Sequence, residues 1–513
     1  MDNFKPQIGK NIIENLTIGM YDDPRFVYRE YIQNAADQID LSLRKSIIAS
    51  RDEGSIYIQT DSNKRSIIIE DNATGIEAKK VLQLLGNIAQ STKNRNIDKG
   101  FRGIGRLGGL GYCEKLTFET SFFGESIKSI MIWDAKQLRN IINDSTIQIE
   151  AAELISVITD YNKENEELNS HYFRVTMEGV TNDTLLDVKK VSEYLSMVAP
   201  LPFSSSFRFK SKIYKEAKLN NVLFDEYKIY VNHDQLFKSY INSIYRDKKI
   251  IDEIIDVEFF KEYKDEQLIY WGWYGISKNM QQIPEDENKE IFIRLRKSNI
   301  QIGLDKRLDR YHREEVGNRY FIGEVHAISS ELIPNARRDF FIDNEYSDFF
   351  EKKLRQFFHT TLYPLYYDFS KKNSAFKEIQ EAKKLIEEYS KKEENGLLNK
   401  IDGNELVLEI EKKQKKAEKA KNTLSRLSNK YKGQSLSLII EESEYLDNID
   451  KTIISEKPPT INYTVEKISK YSKLTNNEEL LIQRIYQVIK NVLTIELSIN
   501  LIDKIDKELK SNY

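Results

Sequence analysis

Glu30, Asn34 and Asp37 recur at i, i+4 and i+7, the spacing of one helical face, within the stretch "YREYIQNAADQID" at residues 28–40. Tyr31, Ala35 and Ile39 recur beside them, so one helix carries an apolar stripe for a core and a polar stripe of two acids and an amide. Alone, such a polar row reads as a solvated face. Three more blocks follow: "DNATGI" (71–76), "LGNIAQSTKN" (85–94) and "KGFRGIGRLGGLGYC" (99–113). Each stands at the end of an expected strand or helix, where sites are built. A glycine-dense loop suits phosphate, because bare backbone N–H groups approach it closely and the loop can close over a ligand. Gly103, Gly105 and Gly108 satisfy G-x-G-x-x-G, but the pattern follows the polar run "QSTKNRNIDK" instead of a strand, which argues against a dinucleotide fold. No G-x-x-x-x-G-K-[ST] occurs, which removes the ordinary P-loop.

The elements around these blocks are mixed. "SIYIQT" (55–60), "SIIIED" (66–71), "KLTFETSFF" (115–123) and "HYFRVTM" (171–177) are short, β-branched or aromatic runs expected as strands, with helical periodicity between them. A second mixed segment holds "EYKIYVN" (226–232), "LIYWGWYGI" (268–276), "EIFIRLRKSNIQIG" (290–303) and "RYFIGEVHAI" (319–328). Seven of the nine prolines fall at or before residue 364, so the remainder reads as long helices. Leu406, Ile410, Ala417, Ala420, Leu424, Leu427 and Tyr431 keep a 3-4 spacing, interrupted by Lys413; Leu481, Ile485, Val488, Val492, Ile495, Ile499 and Ile502 repeat it. A helical bundle and an intermolecular coiled coil both fit, and either could carry a dimer. Thr475 and Glu478 have the spacing of a capping box. The expected domains are 1–210, 211–368 and 369–513.

Across 513 residues, 78 basic and 81 acidic side chains leave a net charge of -3, without the global basic signature of a dedicated nucleic-acid binder. Cys113 stands alone, excluding an internal disulfide or a thiolate metal cluster. His171, His233, His312, His326 and His359 lack ligand spacing and read as packing or surface residues. No run reaches membrane-span length and the first residues have no signal character, so a cytoplasmic protein without a membrane partner is expected.

Together the four blocks resemble the motifs of the GHKL ATPase superfamily, which includes Hsp90, MutL, topoisomerase II ATPase domains, histidine kinases and MORC proteins. "EYIQNAADQ" is similar to its E-x-x-x-N-x-x-D helix, "DNATGI" to its D-x-G-x-G motif, "GFRGIG" to its third motif in the form MutL proteins carry, and "LGNIAQSTK" to the Hsp90 segment that opens the lid. The resemblance implies an α/β fold, a two-layer α+β sandwich of the Bergerat ATP-binding type, followed by a second α/β transducer domain and a helical, coiled-coil-like region. It implies ATP and Mg²⁺. Glu30 would orient the attacking water, Asn34 would ligate Mg²⁺, Asp37 would support them, and Asp71 would accept the adenine amino group. Gly75 would leave room for the base, with Thr74 bridging. Ala73 stands where the family has a glycine, which puts the fine geometry in doubt. Ser91, Thr92 and Lys93 would belong to the lid, with Lys93 contacting phosphate, and Gly100, Phe101, Arg102, Gly103, Ile104 and Gly105 would wrap the phosphates.

"GEVHAISSELIPNARRDFF" resembles the Hsp90 middle domain, in which an arginine reaches the γ-phosphate. The matching residue is Arg338, with Arg337 as the near alternative. The resemblance implies a homodimeric, ATP-operated clamp acting on a protein client or effector, with residues 1–20 as a strap crossing to the partner. The alternative is a MORC- or MutL-like, DNA-associated or bacterial-defence switch, which the negative net charge disfavours. Fewer than thirty residues precede Glu30, too few for the phosphoacceptor helix of a sensor kinase.

Overall fold

A computed structural model describes residues 7–17, 23–88, 99, 103, 105–395, 400–432 and 475–512. It falls into two units, Met1–Phe369 and Ser370–Tyr513. In the first, helices α1 (Asn11–Thr17) and α2 (Phe26–Arg44) precede an eight-stranded sheet. Its strands are β1 (Ser55–Asp61), β2 (Ser66–Asp71), β3 (Lys115–Ser121), β4 (Ile127–Asp134), β5 (Thr159–Asn165), β6 (Tyr172–Glu178), β7 (Lys228–Val231) and β8 (Asp234–Gln235), in the order β5-β4-β3-β6-β2-β1-β7-β8. All neighbours are antiparallel except β1 and β7.

Alternation along β2 sends Ile67 and Ile69 inward, and Asp71 continues that inward row. Ile56, Ile58, Leu116, Phe118, Val175 and Met177 share the same core with Tyr31, Ala35 and Ile39 of α2. Burying each large side chain contributes roughly 1.5–3 kcal/mol, so the apolar stripe of α2 fixes which way its polar stripe faces.

The boundary expected after residue 210 is corrected by strand pairing. Tyr57 and Tyr230 are partners in the parallel β1–β7 ladder, and their rings stack at 5.1 Å, so the first sheet takes two strands from beyond that point. A sequential reading of composition cannot see a strand that returns to an earlier sheet.

The second sheet comprises β9 (Ser243–Arg246), β10 (Lys249–Lys264), β11 (Gln267–Ser277), β12 (Phe292–Lys297), β13 (Ile300–Gln301) and β14 (Ile322–Ala327), ordered β13-β12-β14-β11-β10-β9. "EIFIRLRKSNIQIG" folds back on itself at Ser298 and Asn299, whose φ values of 50° and 60° are those of a tight hairpin turn. β14 is buried along its whole length although it carries Glu324 and His326.

Of residues 1–20, expected as a strap, 1–6 and 18–20 lie outside the described residues, and 8–13 bond to their own chain. Ala151 N donates to Ile8 O at 2.8 Å, Lys10 Nζ donates to Ile141 O at 2.6 Å, and Ile13 is buried in the first core. In the second unit, Ala375, Ile379 and Ala382 pack against Ala417, Ala420 and Leu424. Lys413, the polar residue in that row, is ion-paired with Glu381. The later row does not run through one helix. It is divided between Asn476–Val492 and Ile495–Asn512, because Leu493 turns extended and Thr494 O accepts the first bond of a new helix from Ser498 N at 2.9 Å. Thr475 N donates to Glu478 Oε2 at 2.8 Å, completing the capping box.

Candidate active site

The polar stripe of α2 is buried. Glu30 and Asp37 are 7% and 2% exposed, and Asn34 is half-buried. The glycine-rich segment Gly105–Gly111 lies directly on this helix: Tyr31 Oη donates to Arg106 O at 2.9 Å and accepts from Gly109 N at 3.2 Å. A Cβ at Gly105 would stand 2.3 Å from Glu30 Oε2, and one at Gly109 would stand 2.5 Å from Tyr31 Oη. Glycine at these positions brings backbone against the acid.

Asp71 ends β2, 3% exposed, and accepts from Ala73 N at 3.1 Å. Ala73 and Thr74 are fully enclosed. The Ala73 backbone, where a Cβ replaces the expected glycine hydrogen, is held by His171 Nδ1 at 2.7 Å from its carbonyl. Thr74 Oγ1 donates to Gln38 Oε1 at 2.6 Å, joining the second block to α2. Gly75 has φ +64°, and a Cβ there would lie 1.8 Å from Ser121 O, so no other residue fits. Gln38 and His171 were not singled out in the sequence, since neither shows its partner except through the fold.

Gly103 has φ +70°. Ser91, Thr92, Lys93, Gly100, Phe101, Arg102 and Ile104 lie outside the described residues. Arg106 is half-buried, and burial brings its guanidinium down to about 10; it donates to Asn87 O.

The loop after β14 crosses to α2. Arg338 is 6% exposed, its Nε 3.9 Å from Glu30 Oε1, and its guanidinium donates to Lys99 O. Its φ of +54° is a left-handed conformation that costs a non-glycine residue about 1 kcal/mol. The tight loop holds it there: Arg338 N donates to Asn335 O at 3.1 Å, Gly303 N to Arg338 O at 2.8 Å, and Asn335 N to Phe340 O at 2.9 Å. Arg337 is exposed and contributes only its carbonyl, 3.4 Å from the Arg29 guanidinium. Arg29 also lies 3.5 Å from Glu30 Oε1. Two cations therefore flank one buried carboxylate, one of them supplied by the second sheet's loop.

This arrangement of acid helix, buried strand-end aspartate and glycine segment coincides with a sequence match. Residues 28–166 match the family described as histidine kinase-, DNA gyrase B-, and HSP90-like ATPase. Over this stretch the chain is similar to GHKL ATPases, and the curated relatives it matches are of the Hsp90-like kind. The Chaperone protein HtpG of Wigglesworthia glossinidia brevipalpis is 31% identical over 145 residues, 25% of this chain and 23% of that protein. That of Buchnera aphidicola subsp. Baizongia pistaciae is 30% identical over 148 residues (26% and 24%), and that of Rickettsia canadensis 26% over 187 residues (33% and 29%). The chain thus spans about a quarter of the length of these curated relatives.

Among the described residues no group of three or more His, Cys, Asp or Glu side chains could hold a metal. Mg²⁺ needs no such cage, since it binds through one or two protein oxygens with phosphate and water completing its shell. The half-buried amide of Asn34, between two acids, fits that pattern. No helix of the described residues is long and apolar enough to cross a membrane.

Proposed function

We propose that this chain is an Hsp90-like ATPase that hydrolyses ATP to ADP and phosphate and works as a dimeric clamp on a protein client in the cytoplasm. The observation that carries this reading is the approach of Arg338, on the loop after β14, to Glu30 of α2. Glu30 orients a water and accepts its proton as the water attacks the γ-phosphorus, and Arg338 faces the negative charge that builds on the transferred phosphoryl. Arg337 supports that loop through its backbone. Asp71 accepts the adenine amino group, and Gly75 lets the chain beyond it turn tightly against Ser121 of β3. Asp37 holds the root of the glycine block through Lys99 N at 2.7 Å, and Gly103 and Gly105 present backbone to phosphate. Asn34 would hold Mg²⁺, which would supply neutralisation of phosphate charge.

Calorimetric titration with Mg-ATP tests the pocket. The unmodified chain is expected to bind and Asp71→Asn to bind about ten-fold more weakly, through loss of a buried charge-assisted acceptor; normal affinity in that variant would put the pocket elsewhere. Sedimentation with ADP and with a non-hydrolysable analogue tests nucleotide-driven dimer closure. Duplex DNA binding that falls steeply with salt would replace the protein client with nucleic acid.

A further inference from the structure

Lys99, the residue before the glycine block, joins three parts of the first unit. Its N–H donates to Asp37 Oδ1 of α2 at 2.7 Å and its Nζ to Asp40 Oδ2 at 2.6 Å; its carbonyl accepts from Arg338. Nζ also lies 3.6 Å from Asp225 Oδ2, just ahead of β7, and 5.4 Å from the Tyr227 ring centroid. The side chain is only 5% exposed. Burying an ammonium is costly unless it is fully paired, and here the pairing is closed by charge. Arg51 lies 2.9 Å from Asp40 and 3.5 Å from Asp225, and Tyr227 Oη donates to Asp40 at 2.8 Å. Two cations face two carboxylates at the root of the loop.

The cluster also continues into the second sheet. Asn299 Nδ2, in the β12–β13 turn, donates to Asp225 O at 2.7 Å, while Asn299 Oδ1 accepts from Lys238 Nζ at 2.8 Å. Lys238 Nζ in turn donates to Glu324 Oε2 at 2.9 Å. An unbroken series of polar contacts therefore runs from the interior of the second sheet through Lys99 to the helix that carries Glu30. A lysine needed only to cover apolar surface would leave its head in water; this one is turned inward, with its backbone bonded on both sides.

We infer that Lys99 is a positioning residue that keeps Arg338 aimed at Glu30, by holding the Arg338 guanidinium through its carbonyl while its amide and ammonium anchor that carbonyl to α2. The inference rests on the ATPase reading above. Lys99 acts through Arg338 and its loss should affect turnover more than nucleotide binding, because Asp71 and the adenine side of the pocket lie on other elements.

The test is steady-state turnover and calorimetric ATP affinity on the full chain. Lys99→Met is expected to lower kcat about ten-fold, the effect of one lost charge-assisted contact, with ATP affinity kept within about two-fold. Lys99→Arg should recover most of the rate. Adding Lys99→Met to Arg338→Ala should cost nothing further, because two residues acting as one unit are not additive. Losses that multiply, an unchanged kcat, or lost affinity at normal kcat would each overturn the inference. If Lys99→Met does not fold, Asp225→Asn, whose side chain is 28% exposed, should give the same kcat loss and the same non-additivity; an unchanged rate there overturns it equally. A wild-type chain that turns over ATP and loses that activity in Glu30→Ala, but not in Lys99→Met, removes this inference alone. A wild-type chain that binds no ATP removes the ATPase reading and this inference with it.

Discussion

Glu30 in the first sheet's domain and Glu324 in the second are both buried acids, yet their surroundings are opposite. Glu324 is wholly enclosed and saturated: Lys238 Nζ and His326 Nε2 stand 2.9 Å from its Oε2, Tyr240 Oη donates to Oε1 at 3.2 Å, and Arg296 is in ion-pair contact with Oε1. Burial alone would raise its carboxyl, but Arg296 and Lys238 hold it well below the usual range. Glu30 keeps two cations at 3.5 and 3.9 Å and a glycine backbone where a side chain would otherwise pack. A carboxylate whose lone pairs are all taken is a structural fixture, whereas one held by long contacts beside open backbone has capacity left for a water or a ligand.

That contrast breaks most readily at Glu324. Glu324→Ala leaves Lys238 and Arg296 buried without their counter-charge and is expected to lower unfolding stability by about 3–5 kcal/mol. Urea denaturation reads this directly, and a loss under about 1 kcal/mol would show the network to be dispensable. Glu30→Ala should do the reverse. Turnover is expected to fall by about two orders of magnitude while stability and ATP binding change little, so retained phosphate release would end the role given to this acid.

Arg338→Ala sharpens the same comparison from the cation's side. It should slow hydrolysis by about ten-fold or more with ATP affinity preserved, while Arg337→Ala stays near wild type because only its carbonyl faces the site. The reverse pattern would move the function to Arg337. A last effect is one of pH. Burial takes His326 down to about 4, against about 6.5 in an unfolded chain. Between those values the unfolded chain binds a proton that the folded one refuses. Stability should therefore fall as pH drops from about 6.5 toward 4, with a mid-window slope of about 1.4 kcal/mol per pH unit from this group. His312, which burial takes down to about 3, adds a loss of the same sign. Melting curves of His326→Gln should show a shallower acid limb than the parent, with the His312 part remaining.

Local pattern carried much of the first domain. β2 begins and ends with "SIIIED", and the burial alternation that turns Asp71 inward is a period of two visible in the letters. The run at 290–303 reads as strand, whereas its fold-back at Ser298 and Asn299 came only with the structure. β10 was not: Lys249–Lys264 places charged residues through a long strand whose burial alternates irregularly, with bulges in its pairings to β9 and β11. The Glu324 cluster was invisible for another reason. His326 reads as an isolated histidine; Arg296 is brought beside it by the parallel pairing of β12 with β14, and Lys238 arrives from the segment after β8.

By itself the sequence determined the chemistry on offer: the acid, amide and acid on one helical face, the aspartate at a strand end, the glycine segments, and the family of residues 28–166. These are short-range regularities, set by helical and strand periods and by which residues tolerate a left-handed or tightly approached backbone. Only tertiary structure decided that Arg338, not Arg337, turns toward Glu30, that β7 returns to β1, and that Lys99 stands where α2, the second sheet and the glycine block converge. Those contacts join residues separated by between 62 and 308 positions, and such partners are chosen by the packing of whole layers, which no local spacing encodes.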